Sequence, residues 1–182
     1  MTELALHILD IAQNSIRAKA SMVEITIAEE PQQDRYVIEI LDNGPGMDEH
    51  TLTRVGDPFF TSRTTRKVGL GIPLFRQNAE LAGGALQIES EPGKGTHLKA
   101  IFGFHHVDRP ILGDMAGTLL ILMTNENQTE IVYKHQTPKG DYEFDSREVK
   151  KVLEGASINS PGIRNFLLEM IRENLEQIQI SE

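Results

Sequence analysis

Apolar residues recur at helical spacing near the start of the chain. Leu4, Leu6, Ile8, Leu9, Ile11, Ala12 and Ile16 cover most of a helical wheel, and Glu3, His7, Asp10, Asn14 and Arg17 share the narrow remaining wedge. The pattern predicts a helix over residues ~3–19 that is largely buried, so its polar wedge should face a cavity or a ligand. Two alternating runs follow, "VEITIAEE" and "RYVIEIL", and predict paired strands joined by a polar turn from Pro31 to Asp34. Asp48 then suits the N-cap of a short helix, "EHTLTRV". Residues 56–68 carry few core-forming side chains beyond Phe59 and Phe60 and predict a long loop, a length that in compact domains usually serves function. "GIPLFRQNAELAGG" predicts a second long helix, with Pro73 in its first turn and Gly83-Gly84 as its stop. "ALQIES" and "THLKAIFGF" predict two more strands around the tight turn "EPGKG".

Beyond this point the pattern changes. A short helix ("DMAGTLLILM"), a hairpin ("EIVYKHQ" with "DYEFDS") and helices near 146–154 and 161–178 are expected. We place a boundary near Asp108 to Gly113, giving a main domain over 1–107 and a small α+β appendage over 113–182. In the last helix Phe166, Leu167, Met170, Ile171, Leu175 and Ile178 form an apolar stripe. It suits packing on the rest of the chain, with a partner or homodimer surface as the alternative.

Composition narrows the chemistry. None of the 182 residues is Cys, which removes disulfides, thiolate metal sites and Cys nucleophiles and fits a reducing, cytoplasmic setting. A net charge of −9 argues against nucleic acid or an anionic membrane as partner, and "GTLLILM" is too short to span a bilayer. The amino-terminal stretch lacks the basic leader of a signal peptide.

Three stretches carry candidate chemistry. "LDNGPGM", residues 41–47, ends a strand in an acid and an amide and then runs into Gly-Pro-Gly, more turn-forming residues than one turn needs. "TSRTTRK" places Arg63, Arg66 and Lys67 among hydroxyls, including Thr61, which suits phosphate. Gly69 and Gly71 precede a helix whose N-terminal N–H groups would bind an anion. It is not a dinucleotide fingerprint, because Leu74 holds the third glycine position, and "EPGKGT" lacks P-loop spacing.

Taken in order, these stretches resemble the ATP-binding domain shared by gyrase, the Hsp90 chaperones, histidine kinases and MutL. "LDIAQNSIRAKAS" is similar to the first box of that superfamily, "LDNGPGM" to the second, "DPFFTSR" to the Phe-Phe box of histidine kinases, "VGLGIPL" to the glycine box, and "PGKGTHLKAIF" to the closing Thr box. The resemblance implies an α+β fold, a two-layer α/β sandwich of the Bergerat type, binding ATP or ADP with Mg²⁺. By position, Asp42 would accept from the adenine amino group, and Thr96 would share that network through a water. Gly44 and Gly46 would let the backbone approach the base, and Met47 would pack on its face. Asn14 would be the metal ligand. Arg17, Thr61, Arg63, Lys67, Gly69, Leu70, Gly71 and Ile72 would lie along the phosphates, with residues 56–68 as a lid.

The sequence departs from that pattern in three places. The catalytic-base position, usually Glu, holds Asp10, one methylene shorter. Lys67 replaces the first glycine of the glycine box, and the lid is short. The expectation is an Mg-ATP-dependent regulator that phosphorylates His or Ser on a separate, unidentified protein, with Asp10 as base and slow turnover. With about three residues before the first helix, no phospho-acceptor helix of the histidine-kinase kind is expected there, and His105-His106 lacks its signature. A non-catalytic nucleotide sensor whose lid governs partner binding is the alternative. A MutL-like clamp fits less well with the acidic charge. His7 is expected to partner Asp10 or simply to be polar.

Overall fold

The computed structural model describes residues 3–57 and 70–180. Elements follow the periodicities closely. The first helix is α1 (Leu4–Arg17), then β1 (Met22–Glu30), a 3-10 turn (Pro31–Gln33) and β2 (Arg35–Asp42). Next come α2 (Glu49–Arg54), α3 (Gly71–Leu81), β3 (Ala85–Glu91) and β4 (Gly95–Gly103). The chain finishes with α4 (Met115–Met123), β5 (Glu130–Thr137), β6 (Gly140–Asp145), α5 (Ser146–Leu153) and α6 (Pro161–Ile178).

The strands form one six-stranded sheet in the order β3-β4-β2-β1-β5-β6. Every pairing is antiparallel except β1 with β5, where Met22 lies opposite Glu130 and Ala28 opposite Gln136. One sheet face carries the core. On β1, Val23, Ile25 and Ile27 are buried and alternate with half-exposed residues, the pattern of a sheet covered on one side. The helices α3, α1, α4 and α6 contact one another in that order and track the sheet beneath them, so the fold is the expected two-layer α+β sandwich. Among the described residues, no helix is long and apolar enough to cross a membrane.

The segment after residue 107 extends this same sheet, because β5 hydrogen-bonds to β1. Leu119, Leu120, Ile131, Tyr133, Leu167 and Ile171 join the same buried cluster as Ile8, Ile25 and Phe102. The apolar stripe of α6 is largely consumed by this packing: Leu167, Ile171 and Ile178 are buried, Met170 and Leu175 half-buried, and Phe166 stays exposed. The division at 108–113 remains a proposal about where the chemistry sits, with one hydrophobic core running across it.

Candidate nucleotide site

Period-two alternation explains how the sheet presents its chemistry. On the inward face of β2, Tyr36, Ile38, Ile40 and Asp42 succeed one another, so the same face that holds the aliphatic core ends in a carboxylate. Asp42 lies directly opposite Thr96 on β4, and Thr96 opposite Ser90 on β3. Three adjacent strands thus set an acid and two hydroxyls side by side at one end of the sheet. Helix α1 crosses above them and carries Asp10, Asn14 and Arg17.

Both oxygens of Asp42 are held. Oδ1 accepts from the Gly44 N–H at 2.9 Å, and Oδ2 accepts from the Ser15 hydroxyl at 2.5 Å. The Ser90 hydroxyl donates its one hydrogen to the Gly95 carbonyl at 2.9 Å and accepts from the Met47 N–H at 2.9 Å. The 3.0 Å contact between Ser90 and Thr96 therefore needs Thr96 as donor, which leaves the Thr96 lone pairs to accept from a ligand or water. Ser15 and Ser90 were not singled out in the sequence. The available signal was a small hydroxyl at a core-facing position, Ser15 on the buried face of α1 and Ser90 at the end of a strand.

The surplus of turn-formers after Asp42 has a packing cause. Gly46 has φ +68°, and a Cβ there would fall on the Glu91 carbonyl. Gly95 has φ +94°, and a Cβ there would fall on the Asp42 carbonyl. The Gly93 N–H donates to the Pro45 carbonyl at 2.7 Å. The loop after β2 is thus stacked directly on the β3–β4 turn, and only glycine permits both the conformation and the approach. Asn43 fastens the other side. Its Oδ1 accepts from the Ser21 and Met22 N–H groups at 2.9 Å, and its Nδ2 donates to the Ser21 hydroxyl at 2.7 Å.

The side expected to face phosphate is built by α1 and the start of α3. The Asp10 carboxylate presses on Gly71, so closely that a Cβ at 71 would coincide with Oδ2. Leu70 caps α3 and is exposed, and Ile72 packs on the core. Arg17 donates from Nη2 to Asn14 Oδ1 at 2.5 Å. The oxygen assigned to the metal thus accepts from a guanidinium, which must turn away before a cation can bind there. The chemistry of Asn14 suits Mg²⁺, to which it would offer one hard carboxamide oxygen. Thr61, Arg63, Lys67 and Gly69 lie outside the described residues.

His7 is not Asp10's hydrogen-bonded partner. It is fully buried, stacks on Phe75 at 4.7 Å, and its Nε2 accepts from Asn78 Nδ2 at 2.8 Å. Its Nδ1 has no hydrogen-bond partner among the described residues. Burial lowers its pKa to about 4, and the charge of Asp10 opposes that shift only in part. The unfolded chain takes up this proton near its ordinary value of 6.5, whereas the folded protein refuses it down to about 4. Stability is therefore complete above pH 6.5 and declines as pH falls toward 4, by about 3 kcal/mol in total. Urea titrations across this range should show the decline in the native protein and a smaller one in His7→Gln. Parallel curves for the two proteins would contradict the assignment.

Asp42→Asn tests the adenine end. The substitution replaces one of two engaged oxygens with an NH₂ group, which faces either the Gly44 N–H, the Ser15 hydroxyl or the base. Mispaired buried groups cost about 1–3 kcal/mol, so ATP and ADP affinity should fall tenfold or more. Calorimetry giving the native affinity would remove Asp42 from that role.

Comparisons with known proteins identify the family. The family described as Histidine kinase-, DNA gyrase B-, and HSP90-like ATPase matches residues 2–106. Sensor protein kinase FleS of Pseudomonas aeruginosa is 38% identical over 89 residues, 49% of this chain and 22% of its own length. Sporulation kinase C of Bacillus subtilis is 31% identical over 93 residues, 51% of this chain and 22% of its own length. This chain spans about a fifth of these curated relatives. A crystal structure of the N-terminal domain of a DNA repair protein shares the fold with a TM-score of 0.52 at 19% identity, covering 80% of this chain and 52% of that one. With more than half its length inside the matched region, the chain belongs to the histidine kinase-, gyrase B- and HSP90-like ATPase family.

Proposed function

We propose that the protein binds ATP with Mg²⁺ and acts as a regulatory protein kinase, transferring phosphate to His or Ser on a separate protein. The observation that supports this best is the placing of Asp10. Its carboxylate lies at the start of α3, one helical turn before Asn14, where a terminal phosphate held by both would sit. Bound Mg²⁺ would supply charge neutralisation at the β- and γ-phosphates. Asn14 would donate one oxygen to it, and Arg17, once released from Asn14, would turn to the phosphates. Asp42 and Thr96 would hold the base, with Ser15 fixing the carboxylate. Asp10 would accept the proton of the attacking hydroxyl or imidazole.

A second reading is a nucleotide sensor that binds ATP without transfer. The Arg17–Asn14 hydrogen bond favours it, because binding of the metal must break that contact and so turn the Arg17 side chain at the end of α1. Incubation of the protein with labelled ATP and host lysate separates the two. The kinase labels a second protein, and acid treatment then distinguishes the two acceptors, since phosphohistidine is lost and phosphoserine persists. Nucleotide-dependent capture with no labelled product would support the sensor and defeat the kinase.

A further inference from the structure

Ser90 has no hydrogen-bonding capacity to spare. A hydroxyl offers one hydrogen and two lone pairs. The Ser90 hydrogen goes to the Gly95 carbonyl at 2.9 Å. Its lone pairs take the Met47 N–H at 2.9 Å and the Thr96 hydroxyl at 3.0 Å. These partners come from two pieces of the site, Met47 from the loop after β2 and Gly95 and Thr96 from the start of β4. The direction of each bond is fixed by its ends. A backbone carbonyl only accepts and a backbone N–H only donates, so Ser90 must donate to Gly95 and accept from Met47. Thr96 is then the donor toward Ser90, and reversing that bond would take the hydrogen from the Gly95 carbonyl.

Thr96 is thereby left with lone pairs alone. Asp42, its direct cross-strand neighbour, is in the same condition. The Gly44 N–H at 2.9 Å and the Ser15 hydroxyl at 2.5 Å occupy one position on each Asp42 oxygen, and a carboxylate has about four. Two acceptors with no hydrogen to offer therefore stand side by side at the end of the sheet. Such a pair suits a ligand edge that brings N–H groups. It rejects an edge that brings a carbonyl oxygen, because acceptors facing an acceptor stay unpaired once water is displaced.

We propose, on the nucleotide-binding reading above, that Ser90 is a positioning residue that sets base specificity: by holding the Thr96 hydrogen it makes Asp42 and Thr96 an acceptor-only pair, selective for a purine with a 6-amino group over one with a 6-oxo group. Ser90 itself does not contact the base in this role. It acts through Thr96.

Calorimetry with ADP and IDP tests this. The two share ribose and phosphates, and IDP carries an oxo group in place of the amine and a hydrogen on the adjoining ring nitrogen. The native protein should bind ADP at least about tenfold more tightly than IDP, the effect of a mispaired polar group. Ser90→Ala frees the Thr96 hydroxyl to turn and donate to the oxo group, so the preference for ADP should shrink about fivefold, the worth of one hydrogen bond. Ser90→Thr keeps the hydroxyl and should keep the preference. In a Thr96→Val protein, adding Ser90→Ala should change the preference no further. A role for Ser90 in loop packing alone would weaken ADP and IDP alike and leave their ratio where it was. Should Ser90→Ala not fold, Ser90→Cys, whose sulfur accepts only weakly, takes its place, with a smaller fall in the same direction. An unchanged ratio, or a further change in the Thr96→Val background, would overturn the role of Ser90 while ADP binding stands. A native protein that binds neither nucleotide would remove the nucleotide reading itself, and one that binds both equally would remove the acceptor pair as a selector; the role of Ser90 falls in either case.

Discussion

Asp10→Asn is expected to keep ATP affinity within about twofold and to lower turnover and phosphotransfer by roughly 10²–10⁴-fold, the range for loss of a general base. The substitution preserves shape, so the contact with Gly71 survives while the charge and the proton-accepting ability are lost. Calorimetry and a coupled ADP-release assay on the same preparations separate binding from chemistry. Equal turnover in the two proteins would sink Asp10 as the base. Asp10→Glu restores the usual acid of the family but adds a methylene where the carboxylate already abuts backbone. It should gain rate only by displacing the first turn of α3, which thermal unfolding would register as lost stability.

Removal of residues 113–182 should abolish cooperative folding. The cut takes away Met115, Leu119, Leu120, Ile131, Tyr133, Leu167 and Ile171, all buried against the rest of the core. At about 1.5–3 kcal/mol for each large side chain, the loss is comparable to or larger than the ~5–15 kcal/mol that a whole domain has to spare. It also strips from β1 one of its two hydrogen-bonded neighbours, β5, leaving only β2. A truncated protein with a sharp thermal transition and native ATP affinity would show instead that residues 1–107 fold alone, as the location of the nucleotide boxes suggests.

The sequence made the elements legible because each has a clean period. Helix α6 starts at Pro161, a residue suited to a first turn, and ends at Ile178, where the apolar stripe stops. The β1–β2 pair was legible from alternation and a short polar turn. The β1–β5 pairing was not, because periodicity shows which face of a strand is buried and says nothing of which strand borders it. The same limit explains the misplacement of His7. The wheel put it in the polar wedge with Asp10, but that wedge has two rims, and the rim toward α3 is closed by Phe75 and Asn78. Asp42 and Thr96 were legible as positions matching the family boxes, and β2 and β4 set them directly opposite each other. Ser15 and Ser90 escaped notice because a hydroxyl that orients another side chain looks, in sequence, like any small residue in a helix or strand.

The one parallel pairing also sets an order of events during synthesis. Met22 must wait for Glu130, more than a hundred residues later, before β1 gains its second neighbour. Until then the hairpin of β1 and β2 leaves the ribosome with one edge unpaired and a row of aliphatic side chains uncovered. Long-range parallel contacts form slowly, and an open edge invites pairing with another chain. The nascent protein therefore passes through an interval in which its nucleotide boxes are complete and its sheet is not. Chaperone demand and aggregation during expression should concentrate in that interval, and should ease once α4 and β5 have emerged to cover it.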